Sequence, residues 1–151
     1  LKFVAVVNRH KGHDTIGLGI VKGFGTTCGA LASTVSHDSH NLTVVYDSAA
    51  NALAAAKALI QCGGGMSAVK DGRLLHVLEL PLAGLISLKD AAELAKDSQA
   101  MKEANRELGL TGLENPLLRI VTLALPVIPK VKMSDLGMVD VLKKELIPLF
   151  A

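Results

Sequence analysis

Any chemistry in this chain would gather around histidine, because four of its five copies fall in two short polar loops. His10 and His13 lie in Asn8-Arg9-His10-Lys11-Gly12-His13-Asp14, and His37 and His40 in Ser36-His37-Asp38-Ser39-His40-Asn41. Only His76 falls in an apolar, strand-like run. Imidazole nitrogen beside carboxylate oxygen is a donor set for a divalent metal, and His37, Asp38 and His40 carry it on one turn. The commoner use of Asp, Ser and Asn in such a cluster is to cap backbone donors, which makes a hydrogen-bonded turn. A third use faces a ligand: neutral imidazole, hydroxyl and amide groups can pair with the edge of a planar polar molecule, and loops on a rigid scaffold are where such contacts lie. The spacing alone leaves these three readings open.

Several chemistries are excluded. Gly17-x-Gly19 has Lys22 where a dinucleotide fingerprint needs its third glycine, and Gly63-Gly64-Gly65 lacks the Lys-Ser/Thr of a phosphate loop. No G-x-S-x-G or H-E-x-x-H occurs, and neither Cys28 nor Cys62 follows a proline as in zinc-dependent base deaminases. With 16 basic and 14 acidic residues and 3% aromatics, the chain offers neither a polyanion-binding excess nor rings on which bases could stack, so nucleic acid is not an expected partner. No uninterrupted apolar run reaches the length of about 18 residues that a spanning helix requires, so no membrane is expected either. Two cysteines without a C-x-x-C pair suit reduced, buried thiols in a cytoplasmic protein. The opening Leu1 and the immediate strand-like run suggest a chain cut from something longer.

The elements that must hold the two loops are legible in outline. The chain has the size of one domain, 1–151, whose core must be built from Leu, Val, Ile and Ala. Residues 2–7 are an apolar strand. Residues 16–24 alternate, with Ile16, Leu18, Ile20, Lys22 and Phe24 on one side and Gly17, Gly19, Val21 and Gly23 on the other. A face so bare calls for another backbone, a helix or a ligand to approach it closely. Residues 29–35 and 42–46 make two further strands. Asp47 or Ser48 caps a helix that ends at Gly63, and Asp71-Gly72 sets a type I′ turn in a hairpin over about 66–80. Ser87 and Asp90 read as a capping box for a helix with Leu94, Ser98, Met101, Asn105 and Leu108 on one face, closed by Gly109. Asn115-Pro116 can start another helix ending before Pro126, although 117–125 also suits a buried strand. Ser134-Asp135 is read as the cap of a last helix, weakened by Gly137. The fold class is α+β: a mixed, largely antiparallel sheet with helices packed on it.

At the histidine cluster the sequence resembles the C-terminal domain of adenine deaminase, of the amidohydrolase superfamily. The matching stretches are Asn8-Arg9-His10, Gly19 to Gly25, Ala32-Ser33-Thr34-Val35-Ser36-His37-Asp38-Ser39-His40-Asn41, Gly63-Gly64-Gly65 and Leu123 to Pro129, in order over nearly the whole chain. Ser36 stands where a small apolar residue is expected, and Lys11 where glycine is usual. The resemblance implies a parent enzyme that hydrolyses adenine to hypoxanthine and ammonia, with a divalent metal, manganese or iron, activating hydroxide in a (β/α)₈ barrel. This chain has no H-x-H pair and is too short for a barrel of about 250 residues. The metal and the catalytic base are therefore expected N-terminal to it, with no metal ligand or catalytic residue assigned here and no activity in the isolated domain. The expected partners are the enzyme's own barrel, adenine and further copies of the chain. His37, Asp38, Ser39, His40 and Asn41, with Asn8, Arg9 and His10, are the candidates to line or close the barrel's mouth and exclude water. The alternatives are a structural or oligomerisation domain and a small-ligand binding module.

Overall fold

A computed structural model describes residues 1–10, 12–112 and 116–150. Six strands form one antiparallel sheet: β1 (Lys2–Val7), β2 (Ile16–Val21), β3 (Ala30–Ser33), β4 (Leu42–Tyr46), β5 (Gly65–Lys70) and β6 (Arg73–Glu79), in the order β2-β1-β4-β3-β5-β6. Helix α1 (Ala49–Cys62) covers one face over β3 to β6, packing Ala55 and Leu59 on Ala30, Ala32, Leu42, Val44 and Val69. Alanine on both surfaces lets the helix lie close, and buried Ser67 donates to Ala55 O at 2.9 Å. The other face carries the larger core. There Val4, Val6, Leu31, Val45 and Ala68 meet Met101 of α2 (Ala91–Glu107), its C-cap Leu108, and Ile120 and Val121 of α3 (Pro116–Val121). The α+β expectation, largely antiparallel, holds.

Local signals explain most boundaries. Ser48 caps α1 by accepting from Asn51 N, and Gly63 ends it in the left-handed region at φ 81°. Asp71 and Gly72, at φ 51° and 75°, give the hairpin its two left-handed turn residues, as type I′ requires. Helix α2 opens later than a capping box at Ser87 would place it. Asp90 is the cap, accepting from Ala92 N and Glu93 N at 2.9 Å each, while Ser87 Oγ only accepts from Lys89 N. A carboxylate that satisfies two orphan N–H groups is the stronger terminus signal. Met101, Asn105 and Leu108 face inward as the spacing indicates.

Four further expectations are corrected. Strand β2 stops at Val21, not residue 24, because the chain turns at Gly23 (φ 71°) and sends Phe24 into the core on the opposite side from Ile20. Pro116 does begin a helix, which overturns the buried-strand alternative, but it ends at Val121, well before Pro126; Asn115, like Lys11, lies outside the described residues. Cys28 and Cys62 are free but half-buried, not core thiols. The last helix is instead a three-stranded sheet of β7 (Val131–Ser134), β8 (Gly137–Asp140) and β9 (Glu145–Ile147), with Asp135-Leu136 as the tight turn between its first two strands. Gly137 at φ 132° cannot continue a helix, and the bare glycine face of β2 supplies a bed for the β7–β8 hairpin. A Cβ on Gly17 would fall 2.0 Å from Ser134 O, and one on Gly19 2.4 Å from Met133 Sδ. The close approach read from the glycines is thus made by the chain's own C-terminal hairpin.

Candidate functional site

Strand register brings the two histidine loops together. Val7 pairs with both Ile16 and Leu42, so the loop after β1 and the loop before β4 leave the same end of the sheet. Arg9 clamps them: Nε donates to His40 O at 2.5 Å, and Nη2 donates to Ala83 O at 2.6 Å in the turn after β6. His10 Nε2 donates to Ser39 O at 2.7 Å, and its backbone N–H donates to Asn8 Oδ1 at 2.8 Å. Sequence separations of 29 to 74 residues are closed by these bonds. The bonds from Arg9 and His10 end on backbone carbonyls of loop 36–41 and so occupy none of its side chains.

Beneath the clamp lies a knot that no motif announced. Thr34 Oγ1 accepts from Gly65 N and donates to Gly84 O, both at 2.7 Å. The glycine backbones cross so tightly that a Cβ on Gly64 would meet Gly84 Cα at 2.5 Å. This crossing aims Ala83 O at Arg9. Asp135 is the second residue that sequence reasoning missed. It accepts from Asn8 Nδ2 at 3.2 Å and from Thr15 Oγ1, tying the first loop to the β7–β8 turn. Thr15's hydrogen bond is the main reason its carboxyl lies below the ordinary aspartate range; burial opposes the shift, and Asn8's bond reinforces it.

Among the candidate side chains, His37, Asp38 and Ser39 are exposed, His40 is half-buried and Asn41 is buried. The His37 and His40 rings meet edge to face at 5.4 Å. His40 Nδ1 accepts from Ser36 N at 3.4 Å, which assigns its proton to Nε2. Burial lowers its pKa below the usual histidine value; His37 and Arg9 add to the shift and Asp38 opposes it, so the ring is held neutral. Desolvation also lowers Arg9 from its ordinary value, although part of the residue remains exposed. Asn41 Oδ1 is buried and without a hydrogen-bond partner among the described residues. His13 and Asp14 point into solvent, away from the cluster's hydrogen bonds. Asp38 and Ser39 line a surface cavity of about 360 Å³ with Ala124, Pro126, Met133 and Asp135. On the other side of the clamp, Arg9, Thr34, Leu42, Leu59, Ile60 and Gly64 border an apolar cleft of about 190 Å³.

The donor set does not fit a metal. Among the described residues no three His, Cys, Asp or Glu side chains converge, and His40, the half-buried imidazole of this cluster, already accepts a backbone N–H. What the arrangement offers is a rim of exposed imidazole, carboxylate and hydroxyl groups on a loop held rigidly from below.

The described residues thus define an antiparallel α+β module that presents a polar rim at one end of its sheet. A family model described as "Adenine deaminase C-terminal domain" matches residues 1–145, and the chain belongs to that family. It is similar to proteins named adenine deaminase from Moorella thermoacetica (46% identical over 146 residues), Bacillus velezensis (47% over 146) and Bacillus subtilis (44% over 138). These matches cover 97%, 97% and 91% of this chain but only 24%, 25% and 24% of those proteins. The chain spans about a quarter of the length of the relatives it matches. Among the described residues, no helix is long and apolar enough to cross a membrane.

Proposed function

We propose that residues 1–151 form one domain of a longer hydrolase that converts adenine and water to hypoxanthine and ammonia. In this reading the domain packs on a catalytic barrel N-terminal to it and shapes the mouth of that barrel's site. The reaction's metal and base are assigned to the barrel, because among the described residues no three His, Cys, Asp or Glu side chains converge. The observation that carries the reading is the fixed, outward rim: His37, Asp38 and Ser39 stand exposed on a loop whose backbone is clamped by Arg9 and His10. Such a rim can exclude water from a neighbouring site and pair with a purine edge without reorganising. Family membership and the relatives' names support the substrate. The test is release of ammonia and hypoxanthine from adenine by the full-length protein, compared with this chain alone. The full-length protein should turn over and the chain alone should not. No turnover by the full-length protein would refute the activity, and turnover by the chain alone would refute the division of labour.

A structural reading is favoured by a different observation. Arg9, His10 and Thr34 spend their hydrogen bonds inside the domain, on His40, Ala83, Ser39, Gly65 and Gly84. On that reading the cluster stiffens a docking or oligomerisation module. Truncation before residue 1 separates the two: retained turnover with a lower oligomeric state favours the structural role.

A further inference from the structure

We infer that the uncovered face of β1 and β2 is the surface on which the preceding part of the polypeptide docks; this rests on the reading above that the chain is the C-terminal part of a longer protein. Helix α1 covers only β3 to β6 on its side of the sheet. The register places Phe3, Ala5 and Val7 of β1 beside Ile20, Leu18 and Ile16 of β2 on that same side. Val7 reaches the edge of the core under α1 and Phe3 stacks on Tyr46 at 5.6 Å, but the rest of the strip is open: Ile16 is 60% exposed, Leu18 53%, Phe3 51% and Ile20 37%. The strip carries no charged side chain. Scattered apolar residues on a surface are ordinary, but two adjacent strands with an entirely apolar outer face form a contiguous patch of the kind that marks an interface. Nothing on this strip would orient a polar small molecule. Its chemistry suits an extended apolar protein surface.

The occupant is argued from length and connectivity. The relatives are about four times as long as this chain, which matches them as a C-terminal domain, so their remaining length lies ahead of the aligned segment. In this fold the chain enters through β1, one of the two bare strands, with exposed Leu1 extending the same row as Phe3. A covalently tethered segment arriving beside the strip has an effective concentration in the millimolar range, far above that of a second free copy. The strip also runs directly to the polar rim. Val7 and Ile16 end it, Val7 pairing also with Leu42 of β4, and the loops bearing Arg9, His10 and His37 to Asn41 start there. The apolar cleft of about 190 Å³ under Arg9 opens at the same corner, on the face that bears Leu42 and Leu59. Docking on the strip would therefore carry the rim to the junction between the two parts.

The experiment uses the full-length protein with Cys28→Ser and Cys62→Ser, and measures alkylation of Leu18→Cys by a maleimide, read at that site by mass spectrometry. Leu88→Cys and Leu142→Cys, at exposed positions off the strip, serve as controls. Leu18→Cys should react at least tenfold more slowly than the faster control. Equal rates would overturn the inference. Protection that disappears on dilution, together with a halved particle mass, would assign the strip to a second copy and overturn the occupant. Turnover of adenine is assayed on the same samples. An active enzyme with a freely reacting Leu18→Cys removes the docking surface and leaves the activity, whereas protection without turnover removes the activity and leaves the docking surface.

Discussion

Replacing Gly17 by alanine should unseat the C-terminal hairpin, whereas the same change at Gly19 should be absorbed. Both glycines lie on the face of β2 that the β7–β8 hairpin covers, but they meet different atoms. A Cβ at position 17 would sit 2.0 Å from the backbone oxygen of Ser134 and 2.8 Å from Gly137 N. Ordinary contact begins near 3.4 Å, so the hairpin backbone would have to retreat by about 1.4 Å. That retreat lifts Met133 off the core and pulls Asp135 away from Asn8 and Thr15. Overpacking of this kind costs about 1–3 kcal/mol, and a hydrogen bond to a charged group contributes about 1.5–3 kcal/mol. We expect a loss of about 3 kcal/mol, which for a chain of this size lowers Tm by about 10 °C. At position 19 the obstacle is the Met133 thioether, which can swing aside, for a loss of about 1 kcal/mol and about 3 °C. Thermal unfolding of the two variants, followed by circular dichroism, checks the difference. Equal shifts, or a larger shift for Gly19→Ala, would refute the reasoning that backbone contact at Gly17 seats the hairpin.

Asp135→Asn should weaken the same junction by about 1 kcal/mol at pH 7. Because the native carboxyl titrates below its ordinary range, the stabilisation is present above about pH 4 and is lost as pH falls through the folded pKa, so the gap between variant and parent should narrow below about pH 4. Urea melts at pH 7 and at about pH 3 give the answer, and a gap of unchanged size contradicts the assignment. Thr34→Val keeps the shape but strands Gly65 N–H and Gly84 O, and should cost about 1–3 kcal/mol in a urea melt while loosening Ala83 from Arg9; a loss below 0.5 kcal/mol, taken roughly as the noise of surface substitutions, contradicts it. His40 should titrate below the free-histidine value of about 6.5 when its ring protons are followed by NMR. The unfolded chain then takes up the proton first, so stability falls as pH drops from about 6.5 towards the folded pKa; a midpoint at or above 6.5 would mean that the ring is not held neutral.

The sheet was readable wherever the signal was local. Ser48 and Gly63 bracket α1, and Asp71-Gly72 specifies its hairpin, because each satisfies backbone groups within a few residues. The bare face of β2 was equally plain, but not what fills it: the hairpin that does so lies more than 110 residues away, and Ser134-Asp135 has the local chemistry of a helix cap. Tertiary contact with Gly17 and Gly19 overrides that preference. The polar cluster was legible as residue types on two loops. Its architecture was not, since Arg9 reaches Ala83 across 74 residues and Asn8 reaches Asp135 across 127. Thr34 has no neighbour in sequence that gives it a role, and the crossing glycines that do so come together only where Gly64 meets Gly84. The exposed apolar row of β2 has an ordinary alternating pattern in sequence, and only the placement of α1 shows that nothing covers it.

The central claim is that the loop of His37 to Asn41 contributes to a neighbouring site. Steady-state kinetics with adenine in the full-length protein carrying His37→Ala and His40→Ala test it most directly. The expected result is a fall in kcat/KM of about tenfold or more, near 1.4 kcal/mol of transition-state stabilisation, with a Tm within a few degrees of the parent. Kinetic constants equal to the parent's, in a variant that folds and assembles normally, would contradict it.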